Sequence, residues 1–231
     1  MSGASWLSYS LQDFLMFGPE VFLRLFVRLN QEQGGWVLLA CMLALLIPWL
    51  ASRPGKTPRR GAVALCGGAF VPSGLVFLHG YYAPINWPAG GFGWAFLIQG
   101  AALVMAALAP GRVKLPEPWR KTEVLIWTVI VGVFPWITAF LLGDWRGPGL
   151  FALAPDVTAA ASLVLIRGMA GWLRWVLVIL PVIWALFSAL TYVALGLPLL
   201  LIAPIATVGL AVWVLCPRAG RNGGRAVSCR P

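Results

Sequence analysis

Few residues in this chain can do chemistry, and five of them fall toward one end of its apolar runs: His79, Tyr82, Asn86, Gln99 and Asp156. An imidazole titrates near neutrality, an amide both donates and accepts, and a carboxylate can offset a protonated histidine or attract a cation. Polar groups are costly in a bilayer, so each one inside an apolar run marks a candidate site. Together the five predict one vestibule that binds a small solute or an ion. Four of them also have a structural alternative. His79 can be a hydrogen-bonded imidazole at an interface, Gln99 a bridge to a neighbouring helix, and Tyr82 a ring of the interfacial belt. Asp156 follows Pro155 at a helix start, where the helix dipole favours a carboxylate regardless of function.

Other chemistry is poorly provided for. One histidine excludes bis-histidine haem within the chain, and no His, Cys and carboxylate cluster has metal-ligand spacing. Cys41, Cys66, Cys216 and Cys229 form no CxxC pair and suggest neither a disulfide framework nor a zinc site. Neither a serine-nucleophile motif nor a phosphate loop is present. No catalytic residue, metal or cofactor is therefore expected, and the chain does not read as an enzyme.

The elements that must position the five residues follow from composition. Of 231 residues, 60% are apolar and only 10% are charged, against about 25% charged in ordinary soluble domains. That cannot clothe a soluble surface, and the long apolar, aromatic-rich runs are the opposite of a disordered chain. The predicted class is an all-α polytopic transmembrane bundle. A spanning helix needs about 20 mostly apolar residues. Seven runs qualify, at about 35–51, 61–82, 91–109, 123–143, 155–171, 175–194 and 197–216. The fifth carries Asp156 near its start and Arg167 near its end, so an interfacial or half-membrane helix is its alternative.

The net charge of +10 would suggest nucleic acid in a soluble protein, but its placement points to membrane orientation instead. Residues 52–60 and 110–122 hold four basic residues each, Arg167 and Arg174 bracket the fifth link, and the tail has four more. Seven spans put all of these on one side and leave only Arg24, Arg28 and Arg146 on the other. This predicts an outer N-terminus and a cytoplasmic C-terminus, which makes the His79 to Asp156 vestibule outward-facing. Trp36, Trp49, Trp87, Trp119, Trp145, Trp172 and Trp175 fall at span ends as belt residues should, while Trp127, Trp136, Trp184 and Trp213 lie deeper and read as packing.

Residues 1–34 read as a separate segment, 35–216 as the membrane domain and 217–231 as a basic cytoplasmic tail. No lysine or arginine precedes Arg24, so the start lacks the charged region of a secretory signal and reads as retained. Pro19 suits a first helical position, and Phe22, Leu25, Phe26 and Leu29 recur at helical spacing opposite Glu20, Arg24, Arg28 and Glu32. This is an amphipathic helix lying on the outer leaflet or against the bundle, hinged at Gly34 and Gly35. Ser10 and Asp13 suggest a capped turn upstream. Gly67, Gly68, Gly74 and Gly80, with Gly90, Gly91, Gly93 and Gly100, would let the second and third spans approach closely, while Pro72, Pro135, Pro181 and Pro204 interrupt spans.

The stretches at 11–30 (LQDFLMFGPEVFLRLFVRLN), 82–99 (YAPINWPAGGFGWAFLIQ) and 150–162 (LFALAPDVTAAAS) resemble recurring segments of an uncharacterised bacterial family of small multi-pass membrane proteins. Some of its members carry a loose permease label. The resemblance implies a bacterial inner-membrane location and supplies no activity and no site residues. The expected partners are the lipid bilayer and a small solute or ion, with no nucleic acid. The alternative is a non-catalytic accessory subunit, bound to a membrane-protein partner, whose polar residues only fasten helices. An intramembrane enzyme acting on lipid is the weakest reading, because no nucleophile or paired carboxylates can be named.

Overall fold

The computed structural model describes residues 17–109, 117–169 and 171–216. The capped turn at Ser10 and Asp13 and the tail with Cys229 lie outside them. Among the described residues there is no strand. The elements are α1 (Pro19–Glu32), α2 (Gly34–Ser52), α3 (Lys56–Val71) continuing as a π-helix (Pro72–Tyr82), α4 (Pro88–Leu108), α5 (Lys121–Gly132), α6 (Pro135–Leu142), α7 (Pro155–Ile166), α8 (Trp172–Ala194), and a 3-10 turn (Pro198–Leu201) leading into α9 (Ile202–Leu215).

Among the described residues, six helical stretches are long and apolar enough to cross a membrane: Gly34–Ser52, Lys56–Tyr82, Pro88–Leu108, Lys121–Leu142, Trp172–Ala194 and Pro198–Leu215. The fifth run behaves differently. Its helix, α7, has only 12 residues, about 18 Å at 1.5 Å per residue, against a hydrocarbon core of about 30 Å. Apolar composition alone could not reveal this, because a helix wrapped by protein and one wrapped by lipid select the same residues. Eleven of its residues are buried, and it packs against α3, α5, α8 and α9, so it forms the axis of the bundle.

Two anchors fix the direction of α7. At its start Asp156 meets the second half of α8, at Trp184, Ser188 and Tyr192. Just past its end Arg167 stacks on the Trp213 ring, 3.7 Å from the centroid, and donates to the Trp213 carbonyl near the close of α9. The stretch between α6 and α7 descends into the protein, and Phe151 to Ala154 are all buried. Its polar groups are satisfied locally, as burial demands. Thr138 Oγ1 donates to the Gly147 carbonyl and accepts from the Gly149 amide, and Asn30 Nδ2 donates to the carbonyls of Arg146 and Pro148.

The expected glycine seam between α3 and α4 exists, but only four of the eight glycines make it. Gly67 faces Gly100, and two turns along Gly74 faces Gly93; a Cβ on any of them would meet the opposite carbonyl at 2.6–3.1 Å. Gly68 and Gly91 face open space. Of the four prolines, Pro72 begins the π-helix and Pro135 separates α5 from α6, since neither supplies an amide to the helix before it. Pro181 lies within an unbroken α8, and Pro204 falls in the first turn of α9, where a missing amide costs least.

The amphipathic helix forms as α1 and buries Phe22, Leu23, Leu25, Phe26 and Leu29 against the bundle. Its break from α2 is the single residue Gln33, whereas Gly34 and Gly35 already belong to α2. Tyr81 fastens its end, donating to Glu32 Oε2 at 2.7 Å and accepting from Gln33 Nε2 at 3.2 Å.

Candidate functional site

Asp156 is the centre of the most developed polar cluster among the described residues. It is the second residue of α7, after Pro155, and its carboxylate is placed by the loop described above. Ala152, the one non-glycine residue with positive φ (69°) among the described residues, turns the chain into α7. A left-handed alanine costs about 1–3 kcal/mol and persists only when its surroundings impose it. Here the Ala152 amide donates to Thr158 Oγ1 at 3.0 Å, that hydroxyl lies 2.8 Å from the Ala154 carbonyl, and Ser73 Oγ lies 3.0 Å from it. Thr158 therefore pins the loop to the helix it opens, with Ser73 of the π-helix as a third anchor.

Three donors from α8 converge on the carboxylate. Trp184 Nε1 and Ser188 Oγ donate to Oδ1 at 3.0 and 2.6 Å, and the Tyr192 hydroxyl donates to Oδ2. Aromatic rings close the space above. Phe22 of α1 makes edge contacts with Tyr82 and Tyr192 at centroid distances of 5.5 and 5.7 Å, and Phe26 stacks on Phe77 at 4.9 Å. Two small cavities flank Asp156. One, of about 10 Å³, lies under Phe22 among Phe77, Tyr82, Trp184 and Tyr192. The other, of about 20 Å³, lies toward Thr138, Val157 and Ala203. Each has room for about one water.

The five residues predicted to share a vestibule separate into three places. Tyr82 and Asp156 line the same cavity, and Asn86 stands behind them, its Nδ2 donating to the Tyr82 hydroxyl at 2.8 Å. His79 does not join them. Its Nδ1–H bonds to the Gly74 carbonyl at 2.9 Å, and its ring fills the notch over Gly93 with its edge to Trp94. Gln99 is also elsewhere, its Nε2 donating to the Leu177 carbonyl at 2.7 Å. It ties α4 to α8, the structural alternative given above. Counting residues yields depth along a helix but not the direction a side chain faces. Nor is the space around Asp156 an open vestibule, because α1 lies over it.

The cluster also contains residues not singled out from sequence. Trp184, Ser188 and Tyr192 recur every four residues along α8, a polar-edged stripe at helical period within an apolar run. Trp184 reads from sequence as packing, and Tyr192, near the end of its apolar run, fits the interfacial belt. The stripe was the available signal.

A larger recess of about 740 Å³ lies on the opposite face of α1, lined by Arg24, Arg28, Gln31, Asp144, Trp145 and Arg146. Its charges are matched in pairs: Arg24 with Glu20, Arg28 with Glu32 and Arg146 with Asp144. The hydrogen bond from Arg28, helped by that from Tyr81, holds the Glu32 carboxyl below its usual range, and Arg146 holds Asp144 down at about 2. These depressed acids keep their charge as pH falls, and the Asp144 pair is lost only near pH 2. The recess is wide but electrically balanced, whereas the smaller cavities hold a carboxylate with no basic side chain in their lining. Among the described residues no group of three or more His, Cys, Asp or Glu could hold a metal ion.

No family model, curated protein or solved structure matches the chain.

Proposed function

We propose that this is a multi-pass protein of the bacterial inner membrane that binds a small solute or an ion beside Asp156, entering from the end of the bundle that α1 covers. One observation carries the reading: a carboxylate without a basic partner sits inside an apolar bundle, at the start of a helix too short to cross. Irregular backbone is tolerated at membrane depth where it is buried in protein or lines a cavity, and broken helices of this kind frame binding sites in transporters. The direction of α7 supports seven crossings, six by long helices and one by the buried loop with α7. The basic links at 52–60, 110–122 and 167–174 then share a cytoplasmic end, and α1 lies at the outer end.

The accessory-subunit reading is favoured by a specific feature, that all three donors around Asp156 are satisfied within the chain, as in a structural tie. A thermal-shift screen of the detergent-purified protein against amines, metal cations, amino acids, sugars and small anions separates the two. Binding at a hundredfold excess over Kd adds about 2.7 kcal/mol, a rise of roughly 5–10 °C for a chain of this size. We expect at least one class to give a saturable rise that Asp156→Asn lacks. Identical profiles for the two proteins across the whole screen would leave the accessory subunit standing.

A further inference from the structure

We infer that the Asp156 site takes a small ammonium-type cation, ammonium itself or methylammonium, and that α1 sets its size limit. This rests on the reading that Asp156 serves a binding site. The sign of the ligand follows from the lining. No Lys, Arg or His lines either cavity beside Asp156. Trp184, Ser188 and Tyr192 orient the carboxylate but bring no positive charge, so a cation completes it where an anion would be repelled.

The kind of cation follows from the walls. Hard metal ions require six or more oxygen ligands around them. Here most of the surface is the carbon of aromatic rings, Phe22, Phe77, Tyr82, Trp184 and Tyr192. Aromatic faces supply no lone pairs to a metal, but their quadrupole attracts weakly hydrated organic cations. Lone pairs remain on the hydroxyls of Ser188 and Tyr192, which an ammonium N–H can use while the carboxylate provides the charge. Size is the third constraint. The closed cavity of about 10 Å³ holds one water-sized body, which ammonium matches; methylammonium exceeds it by one methyl group that a small movement of the Phe22 wall accommodates, and a longer or branched alkylammonium does not fit. Phe22 forms its wall from α1, an element joined to the rest of the chain at Gln33. Shifting or trimming that wall admits a longer cation.

The test is equilibrium dialysis of radiolabelled methylammonium against the full-length protein in detergent. We expect saturable binding at one site per chain, displaced by ammonium and not by equal concentrations of sodium or methanol. Asp156→Asn should weaken it at least tenfold, and Phe22→Ala should shift competition toward tetramethylammonium. Circular dichroism and gel filtration of each variant report folding, and the sodium and methanol arms on the wild-type protein decide the outcome even if Phe22→Ala fails to fold. Equal displacement by sodium, or binding that survives Asp156→Asn, overturns the inference. If methylammonium does not bind while a neutral or anionic solute shows Asp156-dependent stabilisation, the ammonium class is wrong and the binding site stands. If no solute of any class binds, both fall.

Discussion

Gly100→Ala should destabilise the protein by about 3–5 kcal/mol, beyond the 1–3 kcal/mol of ordinary overpacking. A Cβ at position 100 would lie 2.6 Å from the Gly67 carbonyl oxygen and 3.0 Å from the Phe70 Cβ. The nearest atom is backbone, so no rotamer change relieves the contact, and α3 and α4 must separate. Separation in turn loosens Phe70 from Phe96, whose rings now sit 5.3 Å apart. Gly67→Ala meets the same seam from the other side, at 2.6 Å from the Gly100 carbonyl, and should behave alike. Gly68→Ala and Gly91→Ala are the internal controls. Both face open space, and removing a glycine from a helix stabilises it by roughly 0.5–1 kcal/mol. Thermal denaturation in detergent should rank the four accordingly, with poor yield for the first two. Equal effects at positions 67 and 68 would show that α3 is rotated from the orientation described.

The second large effect is expected at Asp156, where the choice of substitution matters. Asp156→Leu removes every acceptor from Trp184 Nε1, Ser188 Oγ and the Tyr192 hydroxyl. Each buried donor left unpaired costs about 1–3 kcal/mol. The hydroxyls can turn toward other acceptors, but the indole cannot, so the total should be about 3–6 kcal/mol. Asp156→Asn keeps one oxygen for Trp184 and Ser188, and only Tyr192 must reorient; its cost should be near 1 kcal/mol, about the worth of one hydrogen bond. Melting curves of the purified variants check this. A leucine variant as stable as the asparagine one would mean that the carboxylate is not bonded as described.

How much was legible in the sequence follows from what each signal encodes. Hydropathy marked the long helices to within a few residues, as at 123–143 against Lys121–Leu142, because an apolar run of that length must be buried somewhere. The same signal could not tell that 155–171 holds a short helix wrapped by protein. Spacing found the buried face of α1, where Phe22, Leu25, Phe26 and Leu29 pack as their period requires. The candidate site was legible in part. Asp156 and Tyr82 were identified as polar groups in apolar surroundings, and the structure brings them to one cavity. Depth and the short link between two neighbouring spans put His79 and Gln99 together, but neither signal gives the direction a side chain faces, and His79 lies in the notch over Gly93 while Gln99 reaches α8. Trp184, Ser188 and Tyr192 were hidden for a different reason. Their partner lies 28 to 36 positions away, and only folding shows that a helical stripe in α8 answers a carboxylate in α7.

Whether Asp156 faces a ligand-accessible cavity or a sealed structural tie is decided most directly by the Ser188→Cys variant, made after Cys41, Cys66, Cys216 and Cys229 are replaced. Ser188 is buried and its Oγ lies 2.6 Å from Asp156, so a reagent reaching position 188 has reached the carboxylate. The new thiol should react with a small methanethiosulfonate reagent in the folded protein, without denaturant, and adding Phe22→Ala should raise the rate about tenfold, equivalent to about 1.4 kcal/mol in the opening of α1. A thiol at position 188 that stays unreactive until the protein is unfolded, even when protease cleavage shows α1 displaced by Phe22→Ala, would contradict a binding site at Asp156.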